Sequence, residues 1–411
     1  MSVSDRRHSD TEPFPGYMAG VSSPVTVSSQ DRDTSPKRLL IVTADMGEGH
    51  NATARAIEQA ARRLWPDCGI RWVDALEAMG RGVGPTFRWI FVTNVQTTPP
   101  LYELFYGSLW RRRWFSSASK QVVAAWSGRG LAPAIEEYDP DLIVSTYPLG
   151  NAGLQWLRRH RGLNVPVAAW VADFAPHPFW LYPDLDLYYV MHDSGVPVAK
   201  AAEPGASVAV CAPPVTDAYA PGDRRAARRR LGLAEDAFVA LLSCGSLGFG
   251  AVDEAVRILL SVDPGIQVVA VCGRNEQLRE RLAAWDCPPR RLLVLGWTDE
   301  MPSYMVASDA FVTNNGGVTA MEALSCGRAV VMFDPIAAHG RASAALMADC
   351  GLALLCPSSD DLAREVRRLV EEPRARARLE RSALAHVRAR TREEDLRAVA
   401  ALGVGGVPVK G

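Results

Sequence analysis

Twelve short runs of apolar residues, each followed by a stretch long enough for a helix, constrain the fold of this chain more than any other feature. They lie at 38–43, 70–73, 141–145, 167–171, 187–191, 207–210, 238–243, 267–272, 292–295, 310–313, 328–333 and 352–355. Runs rich in Val, Ile and Leu are typical of strands buried in parallel sheets, whose strands are joined by right-handed crossovers. We therefore expect an α/β protein.

A proline-rich segment, "APPVTDAYAPGD" (212–223), divides these runs into two series of six. Domains usually span roughly 100–200 residues, so a chain of 411 residues is long enough for two. We predict two Rossmann-like domains, 37–215 and 216–396, which face each other across a cleft. A disordered leader at 1–36 and a tail at 397–411 complete the division. Ligands of such sheets bind at the carboxyl ends of the strands, here in the cleft.

Composition narrows the class of function. The net charge of -1 gives no reason to expect a nucleic-acid partner. No apolar run approaches the roughly 20 residues of a membrane-spanning helix, and the polar leader lacks the apolar core of a secretory signal. The eight cysteines include no Cys-x-x-Cys pair, so we expect reduced thiols in a cytoplasmic protein and no metal site.

The stretch "TADMGEGHNATARAI" (43–57) directly follows the first predicted strand. Gly47 and Gly49 weakly match a dinucleotide-binding turn, and Asp74 lies near the position of a ribose-binding acid. The helical pattern that follows places His50 at a helix N-terminus, where the helix dipole keeps an imidazole neutral and able to act as a base. A histidine that only caps the helix is the alternative.

Polar side chains also follow the strand predicted at 167–171. The segment "WVADFAPHPFW" (170–180) supplies Asp173 and His177, with Trp180 beside them. A carboxylate and two histidines from separate loops provide what acid–base chemistry on a hydroxyl group needs. Simple capping of loops by Asp173 and His177 is the alternative.

Two glycine-rich turns lie in the second series. "SCGSLGFG" (243–250) joins a strand to a helix, so its backbone N–H groups can approach phosphate oxygens. "TNNGGVTAMEAL" (313–324) repeats this design and places Glu322 in the first turn of the next helix. That glutamate either complements the helix dipole or accepts hydrogen bonds from two ribose hydroxyls. Two such turns in one domain favour a nucleotide diphosphate over plain tight turns.

Together these segments resemble the monogalactosyldiacylglycerol synthase and diacylglycerol glucosyltransferase group of glycosyltransferase family 28. The resemblance runs from about residue 38 to about 357 and also rests on "VCGRN" (271–275), "GWTDEMPSYMVASDAFVTNNGGVTAMEAL" (296–324) and "GRAVVMFDPI" (327–336). It implies the GT-B fold and the transfer of a hexose from a UDP-sugar to a membrane lipid, without a cofactor or a metal.

The resemblance also implies roles for individual residues. The catalytic candidates are Asp45, His50 and Asp173, with one of the first two as the base. The acceptor side is expected to hold Gly47, Gly49, His177 and Trp180. The donor side is expected to hold Gly245, Ser246 and Gly248 at the diphosphate, Arg274 and Trp297 beside the uracil, Gly316, Gly317 and Thr319 at phosphate, Glu322 at the ribose, and His339 at the sugar.

Several positions depart from the family pattern. Glu48 stands where the family's Gly-Gly-Gly-His turn has a glycine, and Asn314 where a lysine is common. The family's Gln-Glu pair, which holds sugar hydroxyls, is His339-Gly340 here, and the asparagine that follows it is Ser343. These departures leave the donated sugar open.

The segment 85–115 contains nine aromatic residues together with Arg88 and the run Arg111–Arg113. Aromatic side chains beside arginines suit the interface of an anionic membrane, although packing in a core is the alternative for the aromatic residues. We therefore expect a peripheral protein on the inner face of the cell membrane.

The function predicted from the sequence is inverting transfer of a hexose from a UDP-sugar to a lipid such as diacylglycerol. Two other classes stay open. The first is a catalytically silent protein that binds a nucleotide sugar or a lipid, which the His339-Gly340 departure suggests. The second is an NAD-dependent oxidoreductase built on Gly47 and Gly49.

Overall fold

The computed structural model describes residues 35–97, 103–104, 113–288 and 290–403. Almost all of the predicted leader, the middle of the aromatic segment and the last eight residues, 404–411, lie outside the described residues. The expectations for those parts stay predictions.

Two six-stranded parallel sheets form the framework of the described chain. The strands are β1 Arg38–Thr43, β2 Gly69–Asp74, β3 Leu142–Ser145, β4 Val167–Trp170, β5 Leu187–Val190, β6 Val208–Val210, β7 Phe238–Ser243, β8 Ile266–Val271, β9 Leu292–Leu295, β10 Ala310–Thr313, β11 Ala329–Phe333 and β12 Ala353–Cys356. Each begins and ends within one residue of its predicted bounds. The α/β class is confirmed.

The helices fill the crossovers between the strands. They are α1 Glu48–Leu64, α2 Ala75–Ala78, α3 Val83–Thr97, α4 Arg113–Tyr138, α5 Pro148–Arg161, a 3₁₀ helix Pro178–Trp180, α6 Gly195–Ala202, α7 Arg224–Leu231, α8 Val252–Val262, α9 Glu276–Ala283, α10 Met301–Ala307, α11 Val318–Ser325, α12 His339–Asp349, α13 Ser359–Glu371, α14 Pro373–Val387 and α15 Arg392–Leu402.

Both faces of each sheet are covered, which explains why the strands are continuously apolar. In β1, Leu39 and Ile41 belong to one buried cluster, whereas Leu40 and Val42 belong to another on the opposite face. Successive side chains of a strand point to opposite faces, so a strand covered on both sides needs an apolar residue at every position.

The strand order of each sheet reverses at one point. The first sheet has the order β2-β1-β3-β4-β5-β6, and the second has β12-β11-β10-β7-β8-β9. In the first sheet the chain therefore leaves β1 and β3 toward opposite faces, and in the second sheet it leaves β7 and β10 in the same way. A crevice opens between the two strands of each pair. Such switch points are where open α/β sheets bind ligands.

The last helix corrects one prediction. Residues 397–402, predicted as tail, belong to α15, which packs against the first sheet through the fully buried Leu396 and Val399. Thr391 and Glu394 cap its N-terminus reciprocally, a pairing that satisfies two backbone N–H groups. The segment is therefore an amphipathic helix with its own start signal, and the chain crosses from the second half back to the first.

Candidate active site

His50 lies in the first turn of α1, at the switch point between β1 and β3. Its Nδ1 atom lies 2.7 Å from the carbonyl oxygen of Thr146, the residue that follows β3. A carbonyl oxygen can only accept, so Nδ1 carries the hydrogen and Nε2 is the unprotonated nitrogen of the neutral ring. The ring also contacts those of Tyr147 and Trp180, at centroid distances of 5.0 and 5.7 Å.

Asp173 follows β4 and is held by two neighbours. The indole N–H of Trp180 donates to its Oδ2 atom at 2.6 Å, and His177 Nε2 lies 3.4 Å from the same oxygen. Burial alone raises the pKa of the Asp173 carboxyl, but the interactions with His339 and His177, the hydrogen bond from Trp180 and the interaction with His50 together bring that pKa below its usual value. Asp173 is therefore ionised at neutral pH.

His50 and His177 are neutral at the same pH. Burial lowers the pKa of His50 against the opposing charge of Asp173, and it lowers the pKa of His177 to about 4. A neutral imidazole can take a proton, and a nearby carboxylate stabilises the imidazolium that results. The geometry thus suits His50 as a base with Asp173 as its electrostatic partner.

His339, predicted at the donor sugar, joins these residues. It is the first residue of α12, and its ring centroid lies 6.4 Å from that of His177. We call the set of His50, Asp173, His177 and His339 the histidine cluster. It contains one carboxylate and three imidazoles, contributed by both halves of the chain.

The other candidate base, Asp45, lies in a different environment. Its half-exposed carboxylate pairs with Arg88 of α3 at 2.5 Å, and its backbone N–H donates to Asp74. The Arg88 guanidinium and the loop backbone thus hold Asp45, whereas no such ion pair among the described residues occupies His50. Of the two predicted bases, the structure favours His50.

Both carboxylate oxygens of Asp74 already accept hydrogen bonds from the backbone, which weakens the dinucleotide interpretation. One of its oxygens accepts from the backbone of Leu76 and Glu77, at 2.8 and 3.0 Å, and the other accepts from Asp45 at 2.7 Å. Three backbone donors contact the carboxylate, so it caps α2 and keeps little acceptor capacity for a ribose.

The two halves meet at the carboxyl ends of β4 and β10. Asp173 and Gly317 form an antiparallel backbone bridge, and the backbone N–H of Ala175 donates to Ser343 Oγ at 3.1 Å. A Cβ atom on Gly316 would lie 2.8 Å from Ser343 Cβ. The predicted phosphate glycines, Gly316 and Gly317, therefore also permit a close approach between the halves.

An open cavity of about 470 Å³, the interdomain cleft, lies between the start of α1 and the second half. Among the predicted donor residues it is lined by Gly245, Ser246, Trp297, Thr319 and Glu322; from the first half it is lined by Glu48, Gly49, Ala52 and Arg55. Gly49, predicted on the acceptor side, lies on this wall, and Gly47 is the residue before α1. The other predicted donor residues do not line the cleft, namely Gly248, Arg274, Gly316, Gly317 and His339.

The glycine-rich turn at 243–250 packs closely against the backbone of the segment that follows β8. Gly245 and Gly248 have φ angles of 78° and 58°, in the left-handed region that glycine adopts without strain. A Cβ atom on Gly248 would lie 2.7 Å from Cys272 O, and one on Gly273 would lie 2.5 Å from Ser246 O. Close backbone packing therefore fixes the turn and explains the glycine at 248.

Arg274 and Trp297 form one rim of the cleft. The guanidinium lies 4.4 Å from the centroid of the indole ring and pairs with Glu48 at 2.9 Å. The other oxygen of Glu48 pairs with Arg55 at 2.7 Å. Glu48, the residue that departs from the family pattern, thus links the two halves across the cleft.

Glu322 is the buried acid of the cleft. It lies in the second turn of α11, which begins at Val318, and not in the first turn as predicted. Its residue is 8% exposed, and burial raises its pKa to about 8, against a hydrogen bond with Tyr219 and the charge of Arg55. Sequence reasoning missed Tyr219 and Arg55, because nothing in the proline-rich joint or on α1 indicates contact with α11.

No cluster of three or more His, Cys, Asp or Glu side chains in the described part of the chain could hold a metal ion. Within those same residues, none of the helices is both long and apolar enough to cross a bilayer.

Comparison with known proteins adds two family matches. Residues 50–206 match the family model for monogalactosyldiacylglycerol (MGDG) synthase, and residues 251–386 match that for glycosyl transferases group 1. The chain is 25% identical over 362 residues to a processive diacylglycerol beta-glucosyltransferase of Bacillus subtilis (strain 168), covering 82% of this chain and 87% of that protein. The resemblance inferred from the motifs is confirmed.

Solved structures agree on the fold. Acinetobacter baumannii MurG superposes with a TM-score of 0.58 at 16% identity, over 89% of this chain and 100% of that chain. Anabaena Alr3699/HepE in complex with UDP-glucose gives a TM-score of 0.51 at 14% identity, over 90% and 100% of the two chains. The predicted arrangement of two facing Rossmann-like domains is confirmed.

Proposed function

We propose that this chain, a glycosyltransferase of the GT-B fold, moves a hexose from a UDP-sugar to the hydroxyl group of a membrane lipid such as diacylglycerol. The observation that carries the proposal is the position of His50. A neutral imidazole with an unprotonated Nε2 interacts with the charge of Asp173, and both residues contact Trp180, in the half opposite to the glycine turns of the second half.

The cleft has the groups that a uridine diphosphate needs. Gly245 and Ser246, in the turn between β7 and α8, line the cleft, and Thr319 lies in the first turn of α11. Helix N-termini favour negative charge. The carboxyl group of Glu322 can accept from ribose hydroxyls, and the exposed face of Trp297 can stack on a base. Anabaena HepE, which shares the fold, has been crystallised with UDP-glucose.

The reaction then needs one base and one stabilised leaving group. The acceptor oxygen forms a bond to the anomeric carbon of the donor while its proton passes to His50 Nε2, and Asp173 stabilises the imidazolium. The bond between the anomeric carbon and the β-phosphate oxygen breaks, and UDP leaves with that electron pair. Backbone N–H groups at the helix starts stabilise the added charge. A single displacement of this kind inverts the anomeric configuration.

The lipid acceptor is supported by the relatives and by the surface of the first half. The Bacillus subtilis relative is named as a diacylglycerol glucosyltransferase. Three large apolar side chains are exposed, namely Trp89 (67%) of α3, Leu104 (66%) and Val122 (72%) of α4. Phe87, another residue of the predicted interface, packs against the core instead. We propose that these exposed apolar side chains contact the membrane.

We place this surface against the inner face of the cell membrane, where a UDP-sugar from the cytoplasm and a lipid acceptor meet. Of the predicted basic residues, Arg88 pairs with Asp45. Arg111 and Arg112 lie outside the described residues. Attraction to anionic lipids therefore stays a prediction from the sequence.

A screen of UDP-sugars against a lipid panel, with mass spectrometry of the lipid products, tests the proposal directly. The expected result is one or more hexosylated lipids together with UDP, and NMR of the product shows whether the anomeric configuration has inverted. A catalytically silent binding protein would bind UDP in the same assay and release no product with any lipid. Binding of NAD without binding of UDP would support the oxidoreductase instead.

A further inference from the structure

Glu48 is the first residue of α1, and its carboxylate joins the two halves of the chain at the interdomain cleft. One carboxylate oxygen accepts from Nη2 of Arg274, which follows β8, at 2.9 Å. The other accepts from Nη2 of Arg55, further along α1, at 2.7 Å. The side chains of both arginines are 50% exposed, whereas that of Glu48 is 23% exposed. A single, largely covered carboxylate thus holds two accessible guanidinium groups.

The backbone of Arg274 is fixed to the glycine-rich turn at 243–250. Its N–H donates to Ser246 O at 2.8 Å, and Ser246 itself lines the cleft. The side chain lies over Trp297, with the guanidinium carbon 4.4 Å from the ring centroid, and ends at Glu48. A guanidinium binds the oxygens of a phosphate in the same forked geometry as those of a carboxylate. A side chain that starts beside this turn can therefore serve either kind of oxygen.

We propose that Glu48 competes with the diphosphate of the donor for Arg274: the carboxylate holds the guanidinium in the unliganded chain, releases it to phosphate oxygens when a nucleotide sugar enters, and takes it back as UDP leaves. The inference rests on the proposed function, because it places a diphosphate at the glycine-rich turn. It adds that Glu48, which stands where the family pattern has a glycine, sets how tightly the cleft holds donor and product.

The charges at this point decide the sign of the effect. One negative and two positive side chains meet at Glu48, so an entering diphosphate finds both guanidinium groups already engaged by an anion. Glu48→Gln keeps the size of the side chain and one acceptor oxygen but removes the negative charge. Both guanidinium groups then become available to phosphate, and binding strengthens. If Glu48 only supported Arg274 in a position suited to phosphate, the same substitution would weaken binding.

The test measures the affinity of the full chain for UDP and for uridine, which lacks the diphosphate, by calorimetry at salt concentrations between about 50 and 300 mM. The dissociation rate of UDP is measured by stopped flow. The variants are Glu48→Gln, Arg274→Gln and the combination of the two.

Glu58→Gln is the matched control. Glu58 also lies on α1, its side chain is likewise 23% exposed and paired with an arginine, Arg62, and it does not line the cleft. Melting temperatures of the unliganded variants report their folding, since a carboxylate in the first turn of a helix also interacts with the helix dipole.

Glu48→Gln is expected to bind UDP about fivefold more tightly than the parent at low salt, the upper range for an accessible ion pair, with slower dissociation of UDP. This gain should shrink as salt rises, because screening weakens the attraction between guanidinium and phosphate. Uridine affinity should not change, and Glu58→Gln should match the parent with both ligands. In the Arg274→Gln background, Glu48→Gln should give a smaller gain, because the contested guanidinium is absent.

Weaker or unchanged UDP binding in a folded Glu48→Gln variant would overturn the inference. So would an equal change in the affinities for UDP and uridine, since competition for phosphate cannot act on uridine. Failure of the parent chain itself to bind UDP would instead overturn the proposed function, and this inference with it.

Discussion

His50 donates a hydrogen bond of 2.7 Å from Nδ1 to the carbonyl oxygen of Thr146. His50 comes after β1 and Thr146 after β3, two neighbouring strands of one sheet. Because the donor and the acceptor both follow strands at a switch point, the sheet itself fixes the tautomer of the imidazole. The ring nitrogen that can take a proton is thereby decided by the fold.

Replacement of His50 by Ala should reduce turnover with a lipid acceptor by about 10²–10⁴-fold, the usual contribution of a general base. UDP affinity should change little, because the nucleotide groups lie in the second half. Turnover and UDP binding are measured separately, with His160→Ala as control, since His160 stacks on Trp156 of the same helix and lies outside the site. Full activity of His50→Ala, with loss of UDP binding in a folded Gly49→Val variant, would contradict this assignment.

UDP should raise the melting temperature of the parent chain. At a hundredfold excess over its dissociation constant, a ligand that binds only the folded state stabilises by about 2.7 kcal/mol. Glu322→Ala should reduce this shift, because the buried carboxyl is the acceptor predicted for the ribose. A shift with NAD and none with UDP would refute the nucleotide assignment.

Asp395 should destabilise the fold as pH rises. Burial raises the pKa of this carboxyl to about 7, so the folded state binds a proton more tightly than the unfolded state does, and stability is lost as pH rises toward 7. In Asp395→Asn the amide oxygen can still accept from Ala212 N–H, a bond of 2.7 Å in the parent, without this penalty. Between pH 5 and 8 the variant should gain on the order of 2 kcal/mol over the parent in urea unfolding. Parallel pH curves would show that Asp395 is not the titrating group.

Membrane association should depend on the exposed apolar side chains of α3 and α4. Glutamate in place of both Trp89 and Val122 should reduce sedimentation with anionic vesicles and leave the UDP-induced melting shift intact. Leu402→Glu is the control, because Leu402 is also exposed (37%) but lies on α15. If the control and the double variant sediment alike, these helices do not form the membrane surface.

Arg111, Arg112 and Arg113 allow a separate test of the electrostatic contribution. Each arginine near an anionic surface contributes about 1 kcal/mol to the free energy of membrane binding. Changing all three to Glu should therefore abolish sedimentation of the protein with anionic vesicles at low salt. The UDP-induced melting shift serves as the folding control. Unchanged sedimentation would leave the apolar contacts as the only attraction to the vesicles.

The framework was predictable because its signals are local. Continuous Val, Ile and Leu runs mark strands that are covered on both faces, and the glycine at 248 marks a turn that its own backbone requires. Contacts between distant segments were not predictable. Arg274 meets Glu48 at a separation of 226 residues, and His339 reaches the histidine cluster from a different sheet. The pairing of Asp45 with Arg88 likewise depends on where α3 packs, which no pattern within either segment specifies.

The return of α15 to the first sheet means that two segments of chain, not one, cross between the halves. The first crossing is the joint that contains Asp217, and the second is the short segment before Glu393. Arg63 of α1 binds both acids, Glu393 with its Nε atom at 2.9 Å. Because Arg63 binds both crossing segments, they lie next to each other, and the line through them is an axis about which the halves could turn. Rotation of the halves about that axis would leave both crossings and the packing of α15 in place, whereas sliding or separation would require α15 to leave the sheet.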